Sequence, residues 1–221
     1  MHLVCVSASN IRHARNYSTS LKICHLIQQI AAGKRKSGPT VDILALVDHE
    51  LQPCIGCGAC LKHGACTTDP VFNELYARLT RADGVFVVSP HYAPIPARLC
   101  MLLEKIEQIA FLPRFHDDTH RSPLYQRPVG IIGHGGGTQD IIEWYKGPVL
   151  DTIANALSWP VEMKIVQVGQ DNGVVVPVKH VHHNPDSVFP VQEYDWDDIK
   201  RRIEPLVNAV LSAIGDGPAE N

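Results

Sequence analysis

Short apolar runs alternate along the chain with longer stretches in which apolar residues recur every three or four positions. The runs are typical of strands buried on both faces of a sheet, and the periodic stretches are typical of helices that bury one face. The pattern predicts five strands, each followed by a helix. The predicted strands are residues 3–7, 41–47, 84–89, 129–133 and 161–168.

Helix boundaries are marked by capping and breaking residues. Asp69 precedes Pro70, and this pair predicts a helix start because Asp caps free N–H groups and Pro fits the first turn. Gly147 and Pro148 predict a kink in the fourth helix. The predicted helices are residues 18–32, 70–81, 96–110, 139–158 and 195–214.

This strand and helix alternation predicts an α/β fold, a doubly wound five-stranded parallel sheet with helices on both faces. The flavodoxin-like strand order 2-1-3-4-5 suits it. In that order, a ligand site lies at the carboxyl ends of the strands, where strands 1 and 3 diverge. We expect a single flavodoxin-like domain over residues 1–221. Residues 169–194 form an extended, Pro-containing segment in which residues 174–176 predict a short extra strand.

Composition and charge exclude several function classes. The 221 residues carry a formal net charge of −3, which argues against nucleic acid or an anionic membrane as the main partner. The sequence has no apolar run approaching 18 residues and no basic, apolar leader at its first residues. These features predict a cytoplasmic protein.

The loop after strand 1 is rich in hydroxyl and amide side chains and ends where a helix begins. A helix N-terminus holds phosphate well, because its N–H groups are free and its dipole is positive there. Arg12 and Arg15 can offset the phosphate charge. Neither a Gly-x-Gly-x-x-Gly nor a Gly-Lys-Ser/Thr motif is present. The alternative is that Ser18 and Thr19 only cap the helix.

The loops after strands 3 and 4 have features that suit a flat ring. Residues 89–97 form a Pro-rich loop with one aromatic, Tyr92, which can contact a ring by backbone and edge packing. Residues 135–137 are consecutive glycines, whose backbone N–H groups can approach a flavin pyrimidine edge. The alternatives are a stiff turn and a flexible connection.

Four cysteines, Cys54, Cys57, Cys60 and Cys66, lie within one short segment. Two successive x2 spacings place three thiolates on a tight loop, as a [4Fe–4S] cluster requires, and the fourth cysteine completes the set. Zinc is an alternative, although structural zinc sites usually pair two separated knuckles. The other alternative is a loop of metal-free thiols.

Three motifs together resemble a known family. They read Ser-x-Ser…Arg…Ser-Thr, then Pro-Cys-Ile-Gly-Cys-Gly-Ala-Cys…Gly-Ala-Cys…Asp, then Ala-Asp-Gly-Val-Phe-Val-Val-Ser-Pro-x-Tyr…Pro-Ala-Arg. They resemble the NADPH-dependent FMN reductase family, and within it most of all the iron–sulfur flavoproteins. The resemblance covers roughly residues 2–170 and is strongest over residues 53–104. It implies a flavodoxin-like fold, bound FMN and a homodimer or homotetramer.

The resemblance also implies site residues. Ser9, Arg12, Ser18 and Thr19 match phosphate positions, although the usual Gly-Ser-Pro-Arg start is absent and Arg12 comes late. At the isoalloxazine ring, His91 stands where a small or apolar residue is more usual. The expected cofactor-binding residues are Ser7, Ser9, Arg12, Asn16, Ser18, Thr19, Ser89, Pro90, His91, Tyr92, Ala93, Gly133, His134, Gly135 and Gly136. The expected metal ligands are the four cysteines.

The expected function is electron transfer through FMN, with NAD(P)H or a ferredoxin as donor and a flavin, quinone or other small molecule as acceptor. The [4Fe–4S] cluster would serve as a relay. No side chain is predicted to be catalytic, because flavin N5 is the reactive centre. Two alternatives stay open: an electron carrier without a substrate of its own, and a cysteine-based metal or redox-responsive protein on the same scaffold.

Overall fold

A parallel sheet organises the molecule. The computed structural model describes residues 1–11, 18–33, 38–186 and 190–215. The strand order is β2-β1-β3-β4-β5, with β6 beside β4, so the predicted flavodoxin-like order 2-1-3-4-5 is confirmed. The strands are β1 His2–Ser7, β2 Thr40–Ala45, β3 Gly84–Pro90, β4 Pro128–His134, β5 Lys164–Ile165 and β6 Val174–Val176.

Helices cover both faces of the sheet and create two cores. Alternate residues of β1 point to opposite faces, so Val4 packs in one core and Leu3 in the other. The helices α3, α4 and α5 bury their apolar faces on the Val4 side, and α1 and α6 on the Leu3 side. The helices are α1 Thr19–Ala32, α2 Cys60–His63, α3 Pro70–Arg81, α4 Ala97–His116, α5 Thr152–Leu157 and α6 Trp196–Gly215.

The predicted fifth strand, residues 161–168, is wrong in extent. Only Lys164–Ile165 pairs with the start of β4, and Val174–Val176 takes the place beside its end. Backbone hydrogen bonds between Val168 and Asp171 close a turn that ends the first piece. The chain returns through Gly173, where a Cβ would lie 2.1 Å from the carbonyl oxygen of Ile131, so only glycine fits.

The predicted helix over residues 139–158 is also different. The segment forms a 3₁₀ turn at Ile142–Tyr145, a π-helical turn at Lys146–Asp151 and then the short α5. Pro148 has no N–H to donate into a regular helix, which explains why the hydrogen-bond pattern changes there. In contrast, α4 runs beyond its predicted end at residue 110 as far as His116.

The extended segment before α6 contains a small hairpin. Its antiparallel strands are β7 His180–His182 and β8 Val191–Glu193. The backbone N–H of Val178 donates to the Gly137 carbonyl oxygen over 2.9 Å, which fixes the start of the hairpin against the loop after β4. In the ranges that the structure describes, no helix has the length and apolar content needed to cross a membrane.

Candidate functional site

The loops after β1, β3 and β4 meet at one edge of the sheet, because parallel strands end on the same side. The N–H of Ala8 donates to the Val88 carbonyl oxygen over 2.9 Å, which holds the start of the first loop against β3. The N–H of His91 donates to the His134 carbonyl oxygen over 2.8 Å, which joins the second and third loops. The structure therefore brings together the predicted ring residues Ser89–Ala93 and Gly133–Gly136.

The predicted phosphate residues that the structure describes lie at this same edge. Ser7, Ser9 and Ser18 are buried. Ser18 caps α1, and its Oγ accepts a hydrogen bond from the N–H of Leu21 over 3.4 Å. The first turn of α1 therefore faces the three loops with N–H groups that have no partner within the helix. Arg12 and Asn16 lie outside the described residues.

A buried pair that the sequence did not reveal joins α1 to β4. Ser20 Oγ and His134 Nε2 lie 2.7 Å apart, and both side chains are buried. Burial lowers the pKa of His134 to about 3, so its ring is neutral at neutral pH. The available signal was a hydroxyl on the apolar face of α1, in register with Ile23 and Ile27.

Aromatic side chains cover the glycine loop. The ring of Tyr145 packs so closely on Gly135 and Gly137 that a Cβ at either position would lie 2.9 or 2.7 Å from it. The ring of His91 stacks on Tyr145. The ring of Trp144 meets His91 edge-on, with 5.0 Å between the two ring centres. The space that a Cβ would take at Gly135 and Gly137 is therefore filled by the ring of Tyr145.

Tyr194, just after the hairpin, reaches the same site. Its hydroxyl donates to Gln192 Oε1 over 2.7 Å. Burial raises the pKa of Tyr194, and the nearby hydroxyls of Tyr145 and Tyr92 raise it further. A hydrogen bond with Thr19 acts in the opposite direction. The Tyr194 hydroxyl also lies 3.5 Å from the Gly135 carbonyl oxygen, which places it against the loop after β4. Its position in the extended segment gave no sequence signal of this role.

The four cysteines lie between β2 and α3 and line one cavity of about 100 Å³. Gly56 and Gly58 adopt φ of 66° and 68°, which lets the loop turn tightly between the first three cysteines. α2 then ends at Gly64, with φ of 62°. Phe72 and Lys105 form part of the opposite wall.

Side chains of α3 and α4 hold the backbone of this loop. Asn73 Oδ1 accepts from the Cys66 N–H over 2.8 Å, and its Nδ2 donates to the Cys66 carbonyl oxygen over 2.7 Å. Glu104 Oε2 accepts from the Cys54 N–H over 3.3 Å. Both ends of the cysteine segment are therefore fixed by neighbouring helices.

The thiols interact electrostatically. Burial raises the pKa of Cys60, and repulsion from the other three cysteines adds to the rise. Burial also acts to raise the pKa of Cys66, but hydrogen bonds with Thr68 and the charge of Lys105 lower it overall. Within the described part of the chain, no three side chains of His, Cys, Asp or Glu are already arranged as a set of metal ligands.

Comparison with known proteins identifies the family. Residues 1–144 match the family described as NADPH-dependent FMN reductase. The chain belongs to this family. The match covers the loops after β1, β3 and β4 together with the cysteine loop, so membership of the FMN reductase family rests on the segments that form the site.

The curated relatives of this FMN reductase family member include iron–sulfur flavoproteins. The chain is 30% identical over 89 residues to one from Methanocaldococcus jannaschii, covering 40% of this chain and 44% of the relative. It is 32% identical over 72 residues to one from Methanosarcina thermophila, covering 32% of this chain and 38% of the relative. The matched parts span less than half the length of either relative.

Solved structures agree on the fold. A flavoenzyme NAD(P)H:(acceptor) oxidoreductase from Paracoccus denitrificans superposes with a TM-score of 0.59 at 14% identity, over 97% of each chain. A flavodoxin, WrbA-like protein from Agrobacterium tumefaciens gives a TM-score of 0.55 at 12% identity, over 96% of each chain. These similarities confirm the flavodoxin-like fold of this FMN reductase family member.

Proposed function

We propose that this protein binds FMN at the shared edge of β1, β3 and β4 and transfers electrons from NAD(P)H or a ferredoxin to a flavin, a quinone or another small acceptor. The observation that carries the proposal is the meeting of three loops at one edge. There the Ala8 N–H bonds to β3, and the His91 N–H bonds to the last residue of β4. An enzyme of the FMN reductase family needs such an edge for a phosphorylated flat ring.

The residues present fit FMN. The start of α1, with buried Ser9 and Ser18, offers N–H groups and hydroxyls to the phosphate. Tyr92, which is 42% exposed, and the backbone from Pro90 to Ala93 offer a surface for the isoalloxazine. The glycine loop after β4 adds backbone N–H donors, and Tyr145 packs on Gly135 and Gly137 where their Cβ atoms would lie. FMN, when bound, supplies the hydride and electron chemistry.

We further propose that Cys54, Cys57, Cys60 and Cys66 hold a [4Fe–4S] cluster. All four line one cavity, and sulfur ligands in such compact spacing favour iron–sulfur clusters. The iron–sulfur flavoprotein names of the matched relatives support the same ligand chemistry. A cluster at this position would let the protein accept single electrons.

Anaerobic purification followed by spectroscopy and chemical analysis tests both parts. We expect flavin and iron–sulfur absorption bands, one FMN per chain and about four iron atoms per chain. Cys60→Ser should lose most of the iron and retain FMN. Cys100→Ser, an exposed cysteine outside the loop, is the matched control and should retain both.

Different results would contradict different parts of the proposal. Wild-type protein that binds no FMN in a titration contradicts the flavin site. Iron far below four atoms per chain, or equal iron in wild type and Cys60→Ser, contradicts the cluster alone. Reduction by NADPH or NADH with quinone as acceptor favours the enzyme, whereas reduction by ferredoxin alone favours an electron carrier.

A further inference from the structure

A fully buried ion pair lies beneath the cysteine loop. Lys105 of α4 is 2% exposed and Asp69, which caps α3, is 1% exposed, and their charged groups are in direct contact. Burying two charges costs several kcal/mol per ion in lost hydration, so a buried pair by itself is weak evidence of stability. The proposed flavin and sulfur chemistry does not use either residue, which leaves the pair unexplained.

Asp69 joins three parts of the structure. Its Oδ1 accepts from the Phe72 N–H over 3.0 Å and caps α3. Its Oδ2 accepts from the Gln52 N–H over 2.9 Å and also contacts Lys105 Nζ. Because Gln52 precedes the first cysteine of the loop and Asp69 follows the last, one carboxylate closes both ends of the cysteine loop.

Lys105 connects this carboxylate to the wall of the cysteine cavity. It lines the cysteine cavity, with its Nζ 5.5 Å from the centre of the Phe72 ring, whereas Asp69 is not part of the cavity wall. The lysine of the pair therefore borders the cavity that the four cysteines line, and the carboxylate bonds the loop backbone at Gln52.

We infer that Lys105 is a positioning residue for the four-cysteine centre: through Asp69 it keeps the cysteine loop closed, and its ammonium offsets the negative charge that sulfur ligands and a cluster bring into the cavity. The charge role rests on the proposed iron–sulfur centre, and the closing role does not. A pair that served only general stability would affect the whole fold and not this loop in particular.

Hydrogen exchange on metal-free protein tests the closing role. In Lys105→Met we expect amides of residues 52–66 to exchange at least tenfold faster, with no change in β1, β3 and β4. Asp69→Asn/Lys105→Met removes both charges and keeps a carbonyl oxygen to cap α3, so it covers the case in which an unpaired carboxylate unfolds the protein. Lys62→Met, an exposed lysine of α2, is the control.

The loop should exchange faster in both Lys105 variants and not in the control. Equal loop exchange in wild type and the double variant overturns the closing role. If the amides of the loop and of the sheet exchange faster by the same factor, the ion pair serves general stability, and the closing role is also overturned.

A redox titration of protein reconstituted with iron and sulfide tests the charge role. Removing the ammonium should shift the cluster potential to a more negative value, because a nearby positive charge stabilises the added electron. Lys105→Arg keeps the positive charge, so its cluster potential should lie close to that of wild type. An unchanged potential in Lys105→Met overturns the charge role. Wild-type protein that binds no iron contradicts the proposed cluster and the charge role together, while the exchange experiment still decides the closing role.

Discussion

The buried histidine at the end of β4 shows how one residue can join two parts of a site. His134 is 6% exposed, its ring bonds Ser20 of α1, and its carbonyl oxygen accepts from His91. A neutral ring suits this environment because no carboxylate is needed to balance it. The residue thus fixes the start of α1 relative to the loops after β3 and β4, which form the proposed FMN site.

This environment predicts an acid-sensitive fold. The pKa of His134 is lowered from 6.5 to about 3, so the unfolded chain binds a proton that the folded chain excludes. The contribution of the neutral His134 ring to the free energy of unfolding is complete above pH 6.5. It falls by about 1.4 kcal/mol per pH unit as the pH falls from 6.5 toward 3. Urea unfolding of wild type and His134→Gln between pH 7 and pH 5 measures the difference.

Glutamine should keep a hydrogen bond to Ser20 and remove the titrating ring. His134→Gln should therefore reduce the fall in unfolding free energy over this range. His25→Gln, an exposed histidine of α1, should leave it as in wild type. If His134→Gln loses stability as steeply as wild type when the pH falls, this role of His134 is wrong.

At the scale of elements, the loops after the strands combine local sequence with distant packing. The close contact of Tyr145 with the glycine loop predicts that a single methyl group there is costly. In Gly137→Ala the new Cβ would lie 2.7 Å from Tyr145 Cε2, and the unfolding free energy should fall by about 1–3 kcal/mol. Gly147→Ala has no atom within 4 Å of the new Cβ and should change it by less than about 1 kcal/mol.

Chemical denaturation of the two glycine variants measures this difference. Equal stability of Gly137→Ala and Gly147→Ala would show that Tyr145 moves freely and does not fix the loop.

Elements with a strong local pattern were predictable from the sequence. α3 matches its predicted range because Asp69 and Pro70 mark its start and its apolar period continues to the end. The extent of the fifth strand was not, since Val174–Val176 takes its place beside the end of β4. That return requires the close approach of Gly173 to Ile131, a contact between distant parts of the chain.

The same distinction applies to the candidate site. The three loops were predictable because parallel strands end together, and the cysteine loop because its spacing is local. The Ser20–His134 pair and the arrival of Tyr194 depend on tertiary packing that no local pattern records.

At the scale of the whole molecule, a ligand at the common edge of three central strands should stabilise the entire fold. At free FMN about 100 times its dissociation constant, we expect the unfolding free energy to rise by about 2.7 kcal/mol. Ser9→Ala/Ser18→Ala should bind FMN about tenfold more weakly, so at the same FMN concentration the rise should shrink to about 1.4 kcal/mol.

Thermal or urea unfolding with and without FMN measures the rise for each protein separately, so the lost helix cap at Ser18 does not enter the comparison. Ser158→Ala, after the end of α5, is the control and should show the wild-type rise. If FMN stabilises the double variant as much as wild type, the FMN phosphate does not bind at Ser9 and Ser18.

The divided partner of β4 has a consequence for behaviour at high concentration. β5 has two residues and β6 has three, and the turn between Val168 and Asp171 separates them. A strand from another copy needs a long, straight row of free N–H and C=O groups to add to a sheet. Two short pieces separated by a turn do not present such a row, so this margin is a poor template for edge-to-edge aggregation.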